Sequence, residues 1–148
     1  MRPEPGRFLG TAAVHLMTKT AEALGSDYEQ ASVSVMGLLL NFVAEEFERA
    51  AARRAAENLE LRRIFAAATR VVADADLREK LALAANGEDT SLAVSALEQG
   101  NSELRALLIE LHTHVEELES PESQQLEQTI WRELVASTER RKLAMGPF

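Results

Sequence analysis

The chain contains no cysteine among its 148 residues. That removes disulfides, thiolate metal sites, iron–sulfur clusters and cysteine nucleophiles together, and it fits a reducing, cytoplasmic setting. The 7 glycines stand singly, without the cluster that cradles a phosphate. No Gly-x-Ser-x-Gly elbow occurs, so a serine nucleophile on a strained turn has no place to form. Cofactor enzymes on the usual α/β scaffolds are thereby disfavoured, and nothing in the sequence names a cofactor. The first residues, Met1 to Gly6, lack the apolar run of a signal peptide, and residues 1–7 read as a short disordered lead-in. No segment has the alternation of a strand, no internal repeat occurs, and no linker separates two domains, so residues 1–148 are expected to form one helical domain.

Positive charge is also scarce. Lys and Arg total 16 against 24 Asp and Glu, a net charge of −8. The halves differ: up to Asp74 there are 9 basic and 10 acidic residues, and from Ala75 onward 7 and 14, so −7 of the total lies in the second half. A nucleic-acid binder draws its affinity from cations against phosphates, and this distribution argues against such a partner. Arg140-Arg141-Lys142 is the one basic cluster of that half, at the end of a predicted helix where cations offset the helix dipole.

What is present is helix signal at nearly every boundary. Phe8–Leu24 carries apolar residues at spacings of three and four and ends at Gly25, and Ser26-Asp27-Tyr28-Glu29 has the form of a capping box. The helix that follows is expected from residue 27 past residue 44 and onward to Val71-Val72, with a possible kink at Glu57-Asn58. From Gln30 to Ala44 it has no charge and apolar residues on every side. A helix apolar all round is buried all round, so this segment is expected at the centre of the fold, shielded by neighbouring helices of its own chain or of a second copy. It is too short to span a bilayer, which needs about 20 apolar residues. Beyond Glu45 the pattern becomes amphipathic, through Phe47, Ala51, Ala55, Leu59, Ile64, Phe65, Ala68 and Val72.

Shorter pieces follow. Asp74 or Asp76 can cap a helix that Gly87 ends. Asp89-Thr90 can cap a brief helix to Gly100, Asn101 can open another carrying Leu104, Leu107, Leu108, Leu111, Val115 and Leu118, and Ser120-Pro121-Glu122 can start the last. The expected fold is therefore all-α, a compact bundle of about five or six helices around the central apolar one.

Three groups of residues are candidates for function. Ser34, Gly37, Asn41, Glu45 and Glu48 line up along one side of the apolar helix at spacings of three and four, where a buried Asn41 amide must find a partner in a helix, a water or a ligand. Asn41 and Glu45 would then form the polar end of a small-molecule pocket, with Phe42 and Leu38 as walls. Glu110 and His114, at i,i+4, are candidate metal ligands, although the Glu-x-x-His motif of di-iron bundles is absent at all three histidines. Trp131, Val135 and Thr138 lie beside the inward stripe of the last helix, and Ile109 stands opposite the core face of its own. Apolar side chains off the core stripe are typical interface material. With no visible active site, the sequence points to a non-enzymatic protein acting through protein–protein association, as a homodimer. The alternative is a bundle that binds a small molecule or a metal at a buried polar site.

Overall fold

A computed structural model describes residues 4–143 of the chain. Within them the protein is all-α, with five helices and no strand. The elements are α1 (Pro5–His15), a π-helical turn (Leu16–Thr20), α2 (Asp27–Ala68), α3 (Ala75–Ala85), α4 (Val94–Glu116) and α5 (Pro121–Arg141). They divide into two compact units: Met1–Ala50 with Leu143–Phe148, and Ala51–Lys142.

In the first unit, α1 begins at Pro5, three residues before the expected start, with proline in the first turn, where its missing N–H costs nothing. Residues Pro5 to Arg7 of the expected lead-in are thus helical, while residues 1–3 lie outside the described residues. The helix continues to Glu22, the chain turns over residues 23–26, and Gln30, not Glu29, reaches back across the turn: its Nε2 donates to the Leu24 carbonyl at 2.8 Å. The first part of α2 then packs on α1 through Gly37. A Cβ at that position would lie 2.5 Å from Met17 Cγ and 2.8 Å from the Ala13 carbonyl oxygen, so only glycine lets the two backbones approach this closely. We therefore expect Gly37→Ala to destabilise the unit by about 1–3 kcal/mol, although alanine is favoured over glycine inside a helix by about 1 kcal/mol. Faster amide exchange in α1 with no change in α4 is the expected readout; unchanged exchange would mean that the contact is dispensable.

The central position expected for Gln30–Ala44 is corrected here. Ala44 and Gly37 are buried, but Val35, Met36, Leu39 and Val43 are each more than half exposed, as is Phe47 just beyond. One side of the segment meets α1, and the other is exposed.

The large apolar core lies in the second unit. Leu61, Ile64, Phe65, Ala68 and Val72 pack with Leu77 and Leu81, with Leu104, Leu108, Leu111 and Val115 of α4, and with Leu126 and Ile130 of α5. Two helix starts follow the predicted caps, whereas α4 begins at Val94 behind Ala93 with no side-chain cap, not at the expected Asp89-Thr90. Asp74 Oδ1 accepts from Leu77 N at 2.8 Å, and Ser120 Oγ accepts from Ser123 N at 3.0 Å ahead of Pro121. The expected break at Gly100-Asn101 is absent, for α4 runs straight through it. Nor is α2 interrupted at Glu57-Asn58; its 42 residues form one continuous helix. Both departures have one cause, the use made of Asn101, Glu57 and Asn58 inside the second unit.

Candidate functional site

Glu57 is fully buried, the one carboxylate that is so among the described residues. A buried charge is tolerated only when it is paired and hydrogen-bonded, and Glu57 is both. Arg141 approaches it with two nitrogens, Nε at 3.0 Å from Oε1 and one terminal nitrogen at 2.7 Å from Oε2. Arg105 donates to Oε2 at 3.2 Å, the Ser137 hydroxyl to Oε1 at 3.1 Å, and the Asn101 amide to Oε2 at 3.4 Å. Burial by itself pushes the Glu57 carboxyl up. Hydrogen bonds from Arg141 and Arg105, the Arg141 charge and the Ser137 hydroxyl outweigh it and hold the group at about 2.

The amides extend this knot. Asn101 Nδ2 donates to Asn58 Oδ1 at 2.9 Å, and Asn58 Nδ2 donates to Asp89 Oδ1 at 3.0 Å. Asp89 also receives Arg62 at 2.8 Å, and Asn101 Oδ1 receives Arg105 Nε at 2.9 Å. The loop before α4 and helices α2, α4 and α5 are thereby tied at one level by groups that each satisfy another. Slipping one helix by a turn would strand several buried polar atoms at once. The knot sets register. Asn101 serves it from mid-helix instead of capping a helix start, beside Gly100, where a Cβ would make only ordinary contact with the Asn58 amide at 3.7 Å. Arg141 and its neighbours are accounted for in the same way, since Arg140 pairs with Glu133 and Lys142 with Glu139. Burial pushes the Glu133 carboxyl up, against the pull of Arg140.

The residues singled out from sequence are placed as follows. Ser34, Leu38, Asn41, Phe42 and Glu45 are half-buried on one flank of α2. Ser34 Oγ donates to the Gln30 carbonyl at 2.8 Å, and Glu45 pairs with Arg49. The expected full burial of Asn41 is not found, which removes the demand for a partner that motivated a pocket there. Glu110 and His114 line a shallow groove of about 370 Å³ with Asp74, Leu77, Thr113 and Glu117. Glu110, however, is paired with Lys80 Nζ at 2.6 Å, a bond that raises the Lys80 pKa, and His114 Nε2 is buried without a hydrogen-bond partner. No third metal-ligating group joins these two among the described residues.

Trp131, Val135 and Ile109 are 52%, 62% and 69% exposed, and Thr138 is exposed as well. Helices α4 and α5 run antiparallel in a register shown by Asn101 with Arg141, Arg105 with Ser137 and His112 with Trp131. Residue 109 therefore stands level with residues 133 and 134, which brings Ile109 and the Trp131–Val135 ridge to neighbouring helices at about the same height.

The apolar face of α2 was missed by sequence reasoning as a surface. Taking 100° per residue, Val35, Leu39, Val43, Met36 and Phe47 fall within an arc of about 120°, and Tyr28, 80% exposed, falls on the same arc. The signal was present in the spacing. It was hidden because apolar residues also occupy the opposite side, where Gly37 meets α1 and Ala44 is buried.

No protein-family model, no curated protein and no solved structure matches this chain. No helix among the described residues is long and apolar enough to cross a membrane.

Proposed function

We propose that this chain is a non-enzymatic association module of the cytoplasm that acts as a homodimer, with the exposed face of α2 as the seam between copies. The observation that carries this reading is the row of five apolar side chains, Val35, Met36, Leu39, Val43 and Phe47, each more than half exposed. Together they present on the order of 500 Å² of apolar surface, at the upper end for the largest patch on a monomer. Two copies face to face would bury on the order of 1,000 Å², and Tyr28 at the end of the row brings the total near the lower bound for a specific interface.

Charge selects the occupant. No Lys or Arg occurs between Lys19 and Arg49, whereas Glu22, Asp27, Glu29, Glu45, Glu46 and Glu48 do. A helix that lies on anionic lipid carries basic residues beside its apolar face, and this one carries acids. A nucleic-acid backbone is repelled for the same reason. A second copy brings the same flanking acids, but Gln30–Ala44, which would form the seam, is uncharged, so no like charges oppose each other within it.

Sedimentation equilibrium or native mass spectrometry at micromolar concentration tests the reading. A species of twice the 16.3 kDa chain mass is expected, and a monomer throughout that range would end it.

A further inference from the structure

Helices α4 and α5 bring together three side chains that neither the buried knot nor the α2 seam employs. His112 and Glu116 follow one another at i,i+4 on α4, and Glu127 faces them from α5; one ligand atom from each lies within 4.8 Å of the others. His112 Nε2 is buried and has no hydrogen-bond partner. It lies 3.6 Å from Glu116 Oε1, too far for a hydrogen bond. That spacing is close to the edge of a tetrahedron about a metal ion, which comes to about 3.3–3.4 Å for ligand bonds of 2.0–2.1 Å.

The surroundings hold the ligands in place. The Trp131 ring meets the His112 imidazole edge to face, with centroids 5.4 Å apart and planes at 83°. Trp131 Nε1 donates to Glu127 Oε1 at 3.4 Å. One aromatic side chain thus orients both the imidazole and a carboxylate, as outer partners of metal ligands commonly do. Glu110, the preceding acid on α4, is by contrast engaged by Lys80.

We propose that His112, Glu116 and Glu127 form a binding site for a divalent transition-metal cation of the zinc class, with Trp131 as positioning residue. One imidazole nitrogen with two carboxylate oxygens suits zinc and its neighbours better than calcium or magnesium, which favour all-oxygen sets. Three protein ligands leave a fourth position open to water or to a donor from another molecule. The site does not depend on the α2 seam.

The test is titration of zinc chloride alone into the full-length, chelator-treated chain, followed by isothermal calorimetry, with cobalt(II) absorption as an independent report of the ligand field. One ion per chain is expected, with Kd on the order of 1–10 µM. His112→Ala and Glu127→Gln should each weaken binding by about 100-fold, and Trp131→Phe by about 10-fold, whereas Glu110→Gln should leave it unchanged. Glu116 is exposed, so Glu116→Gln provides a ligand deletion that does not threaten folding, and it too should weaken binding by about 100-fold. Absence of binding at millimolar zinc, or equal affinity in the wild type and the Glu116→Gln and His112→Ala variants, would overturn the assignment.

Discussion

Glu57→Ala is expected to lower the stability of the second unit by about 3 kcal/mol, the low end of what breaking a buried ion pair costs. The reason lies in what remains: Arg105 and Arg141 keep their charge, Ser137 and Asn101 lose an acceptor, and a cavity opens on α2. The two arginines retain 32% and 46% side-chain exposure, so both recover some hydration, which places the effect at that low end. For a unit of this size the melting temperature should fall by on the order of 10–20 °C. Glu57→Gln keeps the shape and one accepting oxygen and should cost less. If Glu57→Ala melts within 2–3 °C of the wild type, roughly the effect of a neutral surface change, the knot does not hold the helices together.

The same carboxylate makes a prediction in pH. Its folded-state pKa of about 2 lies below the ordinary 4.5, so the ionised form favours the folded state. That contribution is complete above the unfolded value and disappears as pH falls from 4.5 towards 2. Glu133 acts in the opposite sense, because burial raises its pKa and its ionisation opposes folding as pH rises. Urea midpoints measured across the acid range should therefore fall more steeply for the wild type than for Glu57→Gln. Parallel curves would mean that Glu57 is not held ionised.

The fold was legible wherever one local rule and one tertiary demand agreed. The caps at Asp74 and Ser120 and the stripe of Leu104, Leu108, Leu111 and Val115 needed no knowledge of a partner helix. The uncharged segment from Gln30 to Ala44 misled because periodicity counts apolar residues and does not say whether a neighbour exists for each side; a seam awaiting a second chain has the same letters as a core helix. The ionic knot was illegible for another reason. Glu57, Asn58, Asn101 and Arg141 are each ordinary in their own windows, as a helix charge, a kink, a helix start and a dipole cation. Only the register of α2, α4 and α5 makes them one object. His112 was overlooked beside His114 because its ligand partner Glu127 arrives from the next helix.

Replacing Leu39 and Val43 together by Glu is expected to convert the proposed dimer to a monomer without unfolding the chain. Both side chains are more than half exposed within their own protomer, at 56% and 53%, so the substitution removes no intrachain core, and glutamate is a good helix former. Across a seam between identical copies the same change places four carboxylates in a desolvated strip, and opposed like charges cost several kcal/mol there. Dissociation should weaken the dimer by at least about 1,000-fold in Kd. Thermal melts supply a second reading, because a dimer that folds as it associates melts at a temperature that rises with protein concentration, and a monomer does not. The wild type should show that rise and the double variant should lose it while keeping its far-ultraviolet helical spectrum. Val135→Glu, on the exposed ridge of α5, separates the two apolar surfaces: it should leave the dimer intact, and if it dissociates the dimer while the double α2 variant does not, the seam lies on α4 and α5 and the reading of α2 is wrong.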